Sequence, residues 1–152
     1  MINVYKIKIK LKTDEMMDNL KQELEMCMND FVLDMKNDAT TKAYEDVPKH
    51  NKRSGQLGDT MVASSEWQGS KLVGKVQCQV EYAEFVEHGT GEYSDEHRGS
   101  RTGWYTTHEI TKGKNKGKKY TIYHRGQKPK HFMLNTCKEY RPKVKQYFRI
   151  GG

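Results

Sequence analysis

The sequence predicts an α+β fold in which one strand and a long helix precede two β-hairpins and a C-terminal helix. Three observations carry this prediction. Apolar residues alternate with lysines near the start, they then recur at three- and four-residue steps, and short alternating runs separated by turn-forming residues follow. A chain of 152 residues suits one domain, taken here as residues 1–150, which can bury roughly 70% of its unfolded surface.

The first strand and the first helix are indicated by their periods. In residues 5–11, Tyr, Ile and Leu side chains point one way and lysines the other, which is typical of a half-buried strand protected at a sheet edge. Thr13 or Asp14 can then cap a helix whose methionine-rich apolar stripe ends near Asp38. Core packing is the favoured role of this stripe, and an adaptable partner surface is the alternative.

Two hairpins are predicted in the middle of the chain. Residues 61–67 and 72–82 form the first around a four-residue turn, and residues 104–110 and 120–124 form the second around a lysine-rich tip. The polar segments between these elements are predicted to be mobile loops of the kind that often carry function, near residues 39–59, 89–103 and 112–119.

A C-terminal helix is indicated by apolar residues that recur between Phe132 and Phe148. Pro142 lies inside this stretch. Because an interior proline costs a helix about 3 kcal/mol, we expect a break or a restart near it.

Composition excludes several classes of protein. Apolar residues make up 34% of the chain and charged residues 31%, so the core must be modest. No run approaches the roughly 18 apolar residues of a membrane helix, and the lysine-rich start is unlike a signal peptide, so we expect a chain made and kept in the cytoplasm. Cys27, Cys78 and Cys137 lie far apart without metal-finger spacing, which favours buried free thiols over a disulfide scaffold.

Charge is distributed unevenly along the chain. Residues 1–97 contain 12 Lys/Arg and 18 Asp/Glu, a balance of −6, whereas residues 98–152 contain 15 and 2, a balance of +13. Such a distribution suits head-to-tail contact between copies, or contact of a basic face with an acidic partner or phosphates. A solvated basic surface explains the charge equally well.

The sequence offers weak support for chemistry. The segment 113–119 differs from a phosphate-binding loop, because its glycines are too close and a lysine stands where Ser or Thr would hold magnesium. The six histidines show no metal-ligand spacing. His124 and His131 flank Arg125, Lys128 and Lys130, a set that could serve a metal-free ribonuclease by acid–base catalysis and phosphate stabilisation. A basic nucleic-acid-binding module or ribonuclease is therefore the alternative function, and no catalytic, metal or cofactor site is assigned.

The most specific segment is Tyr82–Gly91, with the sequence Tyr-Ala-Glu-Phe-Val-Glu-His-Gly-Thr-Gly. We expect a strand to end here with Ala83, Phe85 and Val86 buried and with Glu87 turned outward. The closing Gly-Thr-Gly permits a sharp turn that residues with side chains resist. The glycines therefore predict a corner where the strand leads into a loop.

Two further motifs accompany this segment in order. A Ser-Gly-x-Leu precedes the first hairpin, and a Gly-x-x-Pro-x-x-Phe-Met precedes the last helix. Together the three motifs resemble those of the minor structural protein family of long-tailed phages that is named after the tenth gene product of a lambda-like phage. His131, and Asn135 with Thr136, depart from the family pattern, which has prolines there and an alanine. The matching positions are Ser54, Gly55 and Leu57; Tyr82, Ala83, Phe85, Val86, Glu87, Gly89 and Thr90; and Gly126, Pro129, Phe132 and Met133.

The resemblance implies a small twisted antiparallel sheet with the long helix packed on it and a second helix at the end. It implies a subunit without enzymatic activity or cofactor that joins head to tail in the virion, in a ring, after assembly in the host cytoplasm. Expected partners are the connector or adaptor, the tail terminator and further copies of the chain, with DNA nearby and no membrane. The residues expected at interfaces are Arg53, Glu87, His88, Thr90, Arg98, Arg101, Trp104, Lys114, Lys116 and Lys118.

Overall fold

A computed structural model describes the backbone of residues 5–10 and the whole of residues 18–45, 55–95 and 102–149. The chain forms two compact units, one made of residues 1–83 with residues 131–152 and the other of residues 84–130. The predicted α+β class is confirmed. The single-domain interpretation stays a prediction, and the predicted helix cap at Thr13 or Asp14 lies outside the described residues.

A three-stranded antiparallel sheet forms one layer of the first unit. Its strands are β1 (Tyr5–Lys10), β2 (Met61–Gln68) and β3 (Lys71–Cys78), in the order β1-β3-β2. The predicted first hairpin is confirmed, with Gly69 at φ 63° in the two-residue turn that such hairpins favour. Among the described strands β1 is an edge strand, as predicted. The lysine face predicted for β1 consists of side chains that lie outside the described part of the structure.

Helix α1 (Asp18–Tyr44) packs on β2 and β3. Its buried residues follow the three- and four-residue steps that the sequence shows, which confirms core packing for the methionine-rich stripe. The helix approaches β3 closely at Gly74, where an added Cβ would lie 2.5 Å from Met28 Sδ and 2.6 Å from Val32 Cγ1. Of the described helices, none has the length and apolarity needed to cross a bilayer.

The first helix is longer than predicted. It ends at Tyr44 and not near Asp38, so the loop predicted from residue 39 is wrong for its first six residues. Ala39 and Ala43 are buried and continue the four-residue step from Met35. Small apolar residues thus extend the buried face through a stretch whose other residues are polar.

A short helix, α2 (Gln56–Asp59), lies inside the region predicted to be a loop. Tyr44 holds it in place, since its hydroxyl donates to the carbonyl of Gly55 at 2.7 Å and accepts from the Gly58 amide at 2.8 Å. Leu57 is buried beneath this turn. Gly55 and Leu57 of the Ser-Gly-x-Leu motif therefore have a packing role here.

The predicted end of the second strand is also corrected. Strand β3 ends at Cys78, although Val80 stays buried. The amide of Ala83 donates to the carbonyl of Val80 at 3.1 Å, which closes a turn. Tyr82 lies in this turn and is exposed, because the chain has left the alternating pattern of the sheet.

Helix α3 (Ala83–His88) replaces the predicted strand end. Ala83 and Val86 are buried as expected, but Phe85 is 49% exposed and Glu87 only 4% exposed, which reverses the prediction for both. The reason is the helical period, which places residues 83, 86 and 87 on one face. Phe85 then points the other way.

The second hairpin is confirmed as β4 (Trp104–Glu109) and β5 (Lys119–His124) in the second unit.

In the first unit the C-terminal segment forms α4 (Phe132–Tyr140), a 3-10 turn over Arg141–Lys143, and α5 (Val144–Tyr147). The break predicted at Pro142 is thus confirmed.

An aromatic cluster ties the C-terminal segment to α1. The buried Phe31 ring meets those of Tyr140, Tyr147 and Phe148 edge-on, with centroids 5.7, 5.1 and 6.2 Å away. The Tyr147 hydroxyl donates to Asp34 Oδ2 at 2.6 Å.

The three cysteines are free as predicted, but only Cys78 is fully buried.

We predict that Gly74→Ala lowers the free energy of unfolding by about 1–3 kcal/mol, because the new methyl overpacks the helix–sheet contact. Urea denaturation measures the change, with the exposed Ser64→Ala on β2 as a near-neutral control. Val32→Ala removes one of the clashing methyls. The double variant should therefore be less destabilised than the sum of the two single changes, and simple additivity would contradict the packing account.

We predict an alkaline weakening that depends on Tyr147. Its hydrogen bond to Asp34, followed by burial, raises the pKa of this phenol to about 12. The contribution is complete below the ordinary tyrosine value near 10 and is lost as the pH rises through about 12. Tyr147→Phe keeps the ring, should cost about 0.5 kcal/mol at neutral pH, and should flatten the fall in stability above pH ~10. An identical alkaline profile in both proteins would rule this out.

Candidate interaction surface

The second unit is held together at its base by two loop segments that pair through their backbones. The amide of Thr90 donates to the carbonyl of Gln127 at 2.9 Å, and the Gln127 amide donates back to Thr90 Oγ1 at 2.9 Å. The amide of Glu92 donates to the carbonyl of Arg125 at 2.8 Å. These bonds hold the 3-10 turn Gly91–Tyr93, which lies in the segment near residues 89–103 that was predicted to be a mobile loop.

Glycines make this pairing possible. Gly126 has φ 109°, and a Cβ there would overlap the carbonyl of Thr90. Gly91 has φ 60°, and its Cβ would lie 2.5 Å from the carbonyl oxygen of Arg125. The middle and last of the three motifs therefore meet in one structural element, which their separation in sequence did not suggest.

Glu92 organises the polar side chains at this base. It accepts a hydrogen bond from the Tyr123 hydroxyl at 2.7 Å and one from Arg125 Nε at 2.8 Å. These bonds, that from Tyr123 first, lower the pKa of Glu92. The same carboxylate raises the pKa of Tyr123 and of Arg125. The base of the hairpin, at the end of β5, is therefore tied to the 3-10 turn.

Beyond this base, the β4–β5 hairpin exposes its side chains on both faces. Ten of its twelve strand residues are exposed, and the other two, Thr106 and His124, are half-buried. Tyr105 is 72% exposed. The exposed set includes five large apolar or aromatic residues: Trp104, Tyr105, Tyr120, Ile122 and Tyr123.

The rings of the hairpin pair with one another across the strands. Tyr105 and Tyr123 have centroids 4.7 Å apart, and Trp104 stacks on His124 at 5.6 Å. His108 stacks on Tyr120 in the same way. Thr106 Oγ1 lies 2.9 Å from His108 Nε2 and 2.7 Å from His124 Nε2, which links the two stacked pairs. Such pairs stabilise a hairpin by roughly 0.2–1 kcal/mol each.

The tip of the hairpin is strongly basic. Between Trp104 and His124 the chain has five lysines and one glutamate. Residues 111–120 are all exposed, and the tip is ordered by bonds from the Gly117 amide to the Ile110 carbonyl at 2.8 Å and from the Ile110 amide to the Lys118 carbonyl at 3.0 Å. The hairpin is therefore an aromatic ribbon with a cationic end.

The predicted interface residues separate into three groups. Trp104, Lys114, Lys116 and Lys118 are exposed on the hairpin, and Thr90 is half-buried at its base. Glu87 and His88 are buried, and His88 Nδ1 lies 3.4 Å from Asp95 Oδ1, so neither offers a surface contact in this structure. Arg53, Arg98 and Arg101 lie outside the described residues.

The sequence allowed two interpretations of Tyr105, Tyr120 and Tyr123, an exposed stacking surface or one side of a half-buried hairpin, and the structure exposes all three rings. Of the ribonuclease set, Arg125 donates a hydrogen bond to Glu92. Arg125 Cζ and Lys128 Nζ also lie 5.8 and 5.9 Å from the centroid of the Tyr93 ring. A signal for the exposed hairpin was present in the sequence, since aromatic residues stand on both faces of each strand.

No protein-family model matches the chain, and neither does any curated protein or solved structure. The resemblance to the phage family therefore stays a prediction.

We predict that Gly126→Ala destabilises the second unit by about 3 kcal/mol or more, because strain at positive φ adds to overlap with Thr90. Gly117→Ala is the matched control, since φ is 89° there and nothing lies within 4 Å. It should cost about 1 kcal/mol. Calorimetric melting compares the two variants, and equal losses would show that the close approach has no energetic role.

Proposed function

We propose that this chain is a structural protein of a tailed bacteriophage or prophage that joins head to tail through protein–protein contacts, as a subunit of a ring. The observation that carries the proposal is the hairpin, which exposes ten of its twelve strand side chains. A two-stranded hairpin on its own is marginally stable in water. Exposed aromatic residues on such a ribbon are typical of a segment that a neighbouring subunit covers.

Charge supports assembly between unlike surfaces. The first 97 residues have a balance of −6 and the remainder +13, and five of the basic residues are at the hairpin tip. Opposite charges on different surfaces of one chain favour ordered stacking and disfavour the pairing of like surfaces. The resemblance of the three motifs to the phage family agrees with a place at the head–tail junction of the virion.

The second candidate is a nucleic-acid-binding module, favoured by exposed rings beside lysines. Stacking on bases requires free ring faces. In the hairpin, Trp104 stacks on His124 and Tyr105 lies against Tyr123, so each of these rings already contacts another ring on one side. In the ribonuclease version one of the cations of the set, Arg125, is already bound to Glu92. These contacts support the protein-contact function over the alternative.

We expect the chain to form assemblies larger than the 17.7 kDa monomer, alone or when mixed with portal and tail proteins of the same phage. Light scattering at several concentrations and salt levels measures their mass. Tyr105→Ser should weaken assembly by on the order of tenfold, because it removes the most exposed ring of the hairpin. Phe85→Ser is the control, since it removes an exposed ring from α3 instead.

Strictly monomeric behaviour, alone and in all mixtures, would contradict the proposal. RNA cleavage that disappears in His124→Ala would support the enzymatic alternative.

A further inference from the structure

We propose that the β4–β5 hairpin of one copy binds the outward face of α1 of a second copy. This inference rests on the proposed ring and names the two surfaces that meet in it. The outward face of α1 is defined here as the exposed stripe that contains Glu23, Met26, Asp30 and Leu33.

The outward face of α1 carries apolar residues that the fold leaves exposed. Met26 is 67% exposed and Leu33 is 49% exposed, and they lie seven residues apart, which is two helical turns on the same side. The core-facing residues of the helix occupy the opposite side and are buried on the sheet. Two aligned apolar side chains on the solvent side of a packed helix indicate a second contact surface.

The charge of this face is opposite to that of the hairpin. Within α1 the exposed charged side chains are all acidic, while its three lysines are half-buried; the exposed residues are Asp18, Glu23, Asp30 and Asp34. The hairpin tip carries five exposed lysines. Met26 and Leu33, which lie among carboxylates, thus complement a hairpin whose aromatic rings lie beside the lysine ammonium groups of its tip.

The two surfaces also agree in length. Ten residues separate Glu23 from Leu33, which is roughly 15 Å along a helix. Each hairpin strand has six residues, which is roughly 17–20 Å. A strand of the ribbon can therefore lie along two to three turns of the helix while its tip reaches the acidic side chains.

A contact between these surfaces is heterologous, because the hairpin and the helix are different parts of the same chain. Heterologous contacts propagate from copy to copy and close into rings when the rotation allows. The outward face of α1 is acidic and would repel phosphates. A second copy, whose hairpin tip is basic, is therefore favoured over nucleic acid as the partner that covers this face. The hairpin and the helix face, left exposed separately, then cover each other.

The test uses two pairs of charge reversals in the full chain. Lys114→Glu with Lys116→Glu makes the hairpin tip acidic, and Glu23→Lys with Asp30→Lys makes the helix face basic. All four side chains are exposed, so the fold tolerates the changes. Lys138→Glu with Lys145→Glu is the control, because it changes net charge as the hairpin pair does, at exposed positions of α4 and α5.

We expect each pair of reversals to weaken self-association by about a hundredfold in sedimentation and light scattering, and the control to leave it unchanged. Mixing the two reversed proteins should restore assembly, since acidic tips then meet basic helices and native tips meet native helices. Wild-type assembly should also weaken between about 0.1 M and about 1 M salt, because the Debye length falls from about 10 Å to about 3 Å.

Several outcomes would overturn this inference. If the reversed variants assemble like the wild type, the ring uses other surfaces and the proposed function stands. If the wild type is monomeric alone yet joins portal or tail proteins, the second copy is the wrong occupant and the proposed function again stands. If the hairpin reversals abolish binding to a duplex of about 30 base pairs but leave assembly intact, the hairpin serves nucleic acid. A wild type that assembles with nothing refutes both proposals.

Discussion

The first unit depends on the close approach of α1 to the central strand of the sheet. Gly74 has no side chain, so Met28 and Val32 of the helix occupy the space that a Cβ would fill. Helix and sheet can then interdigitate at the density of a protein interior, which matters when apolar residues make up only 34% of the chain. The same placement of α1 presents Phe31 to the rings of Tyr140 and Tyr147. The C-terminal helices therefore depend on a glycine in β3.

Regular periodicity made the core of this unit predictable from sequence. Met28, Phe31 and Met35 follow helical steps, Leu72 and Val76 follow the alternation of a strand, and all five are buried. Pro142 interrupts the last helix because its own ring removes a backbone donor and crowds the preceding turn. In each case the information lies within a few residues of the feature, so one chain is enough to infer it.

The errors arose where short segments or distant backbone groups decide the structure. Six residues from Ala83 to His88 are too few to distinguish a helix from a strand by period alone, so Phe85 and Glu87 were assigned to the wrong sides. The pairing of Thr90 with Gln127 joins residues 37 apart through backbone groups. Glycines at both ends are the sole trace of that pairing in the sequence, and they do not say which segments meet.

In the proposed assembly, the hairpin is a binding surface whose side chains are ordered before the contact forms. Glu92 anchors its base through Tyr123 and Arg125, and stacked pairs such as Trp104 with His124 hold its rotamers. Ordering that is complete in the free chain does not have to be supplied at association, so more of the contact energy remains as affinity. An ordered apolar ribbon is also a hazard, because it can pair with any exposed strand. The lysines at its tip reduce that hazard through mutual repulsion, and an acidic neighbour would relieve the same repulsion. In the proposed contact, the charge that keeps free copies apart therefore also selects the surface on which the hairpin binds.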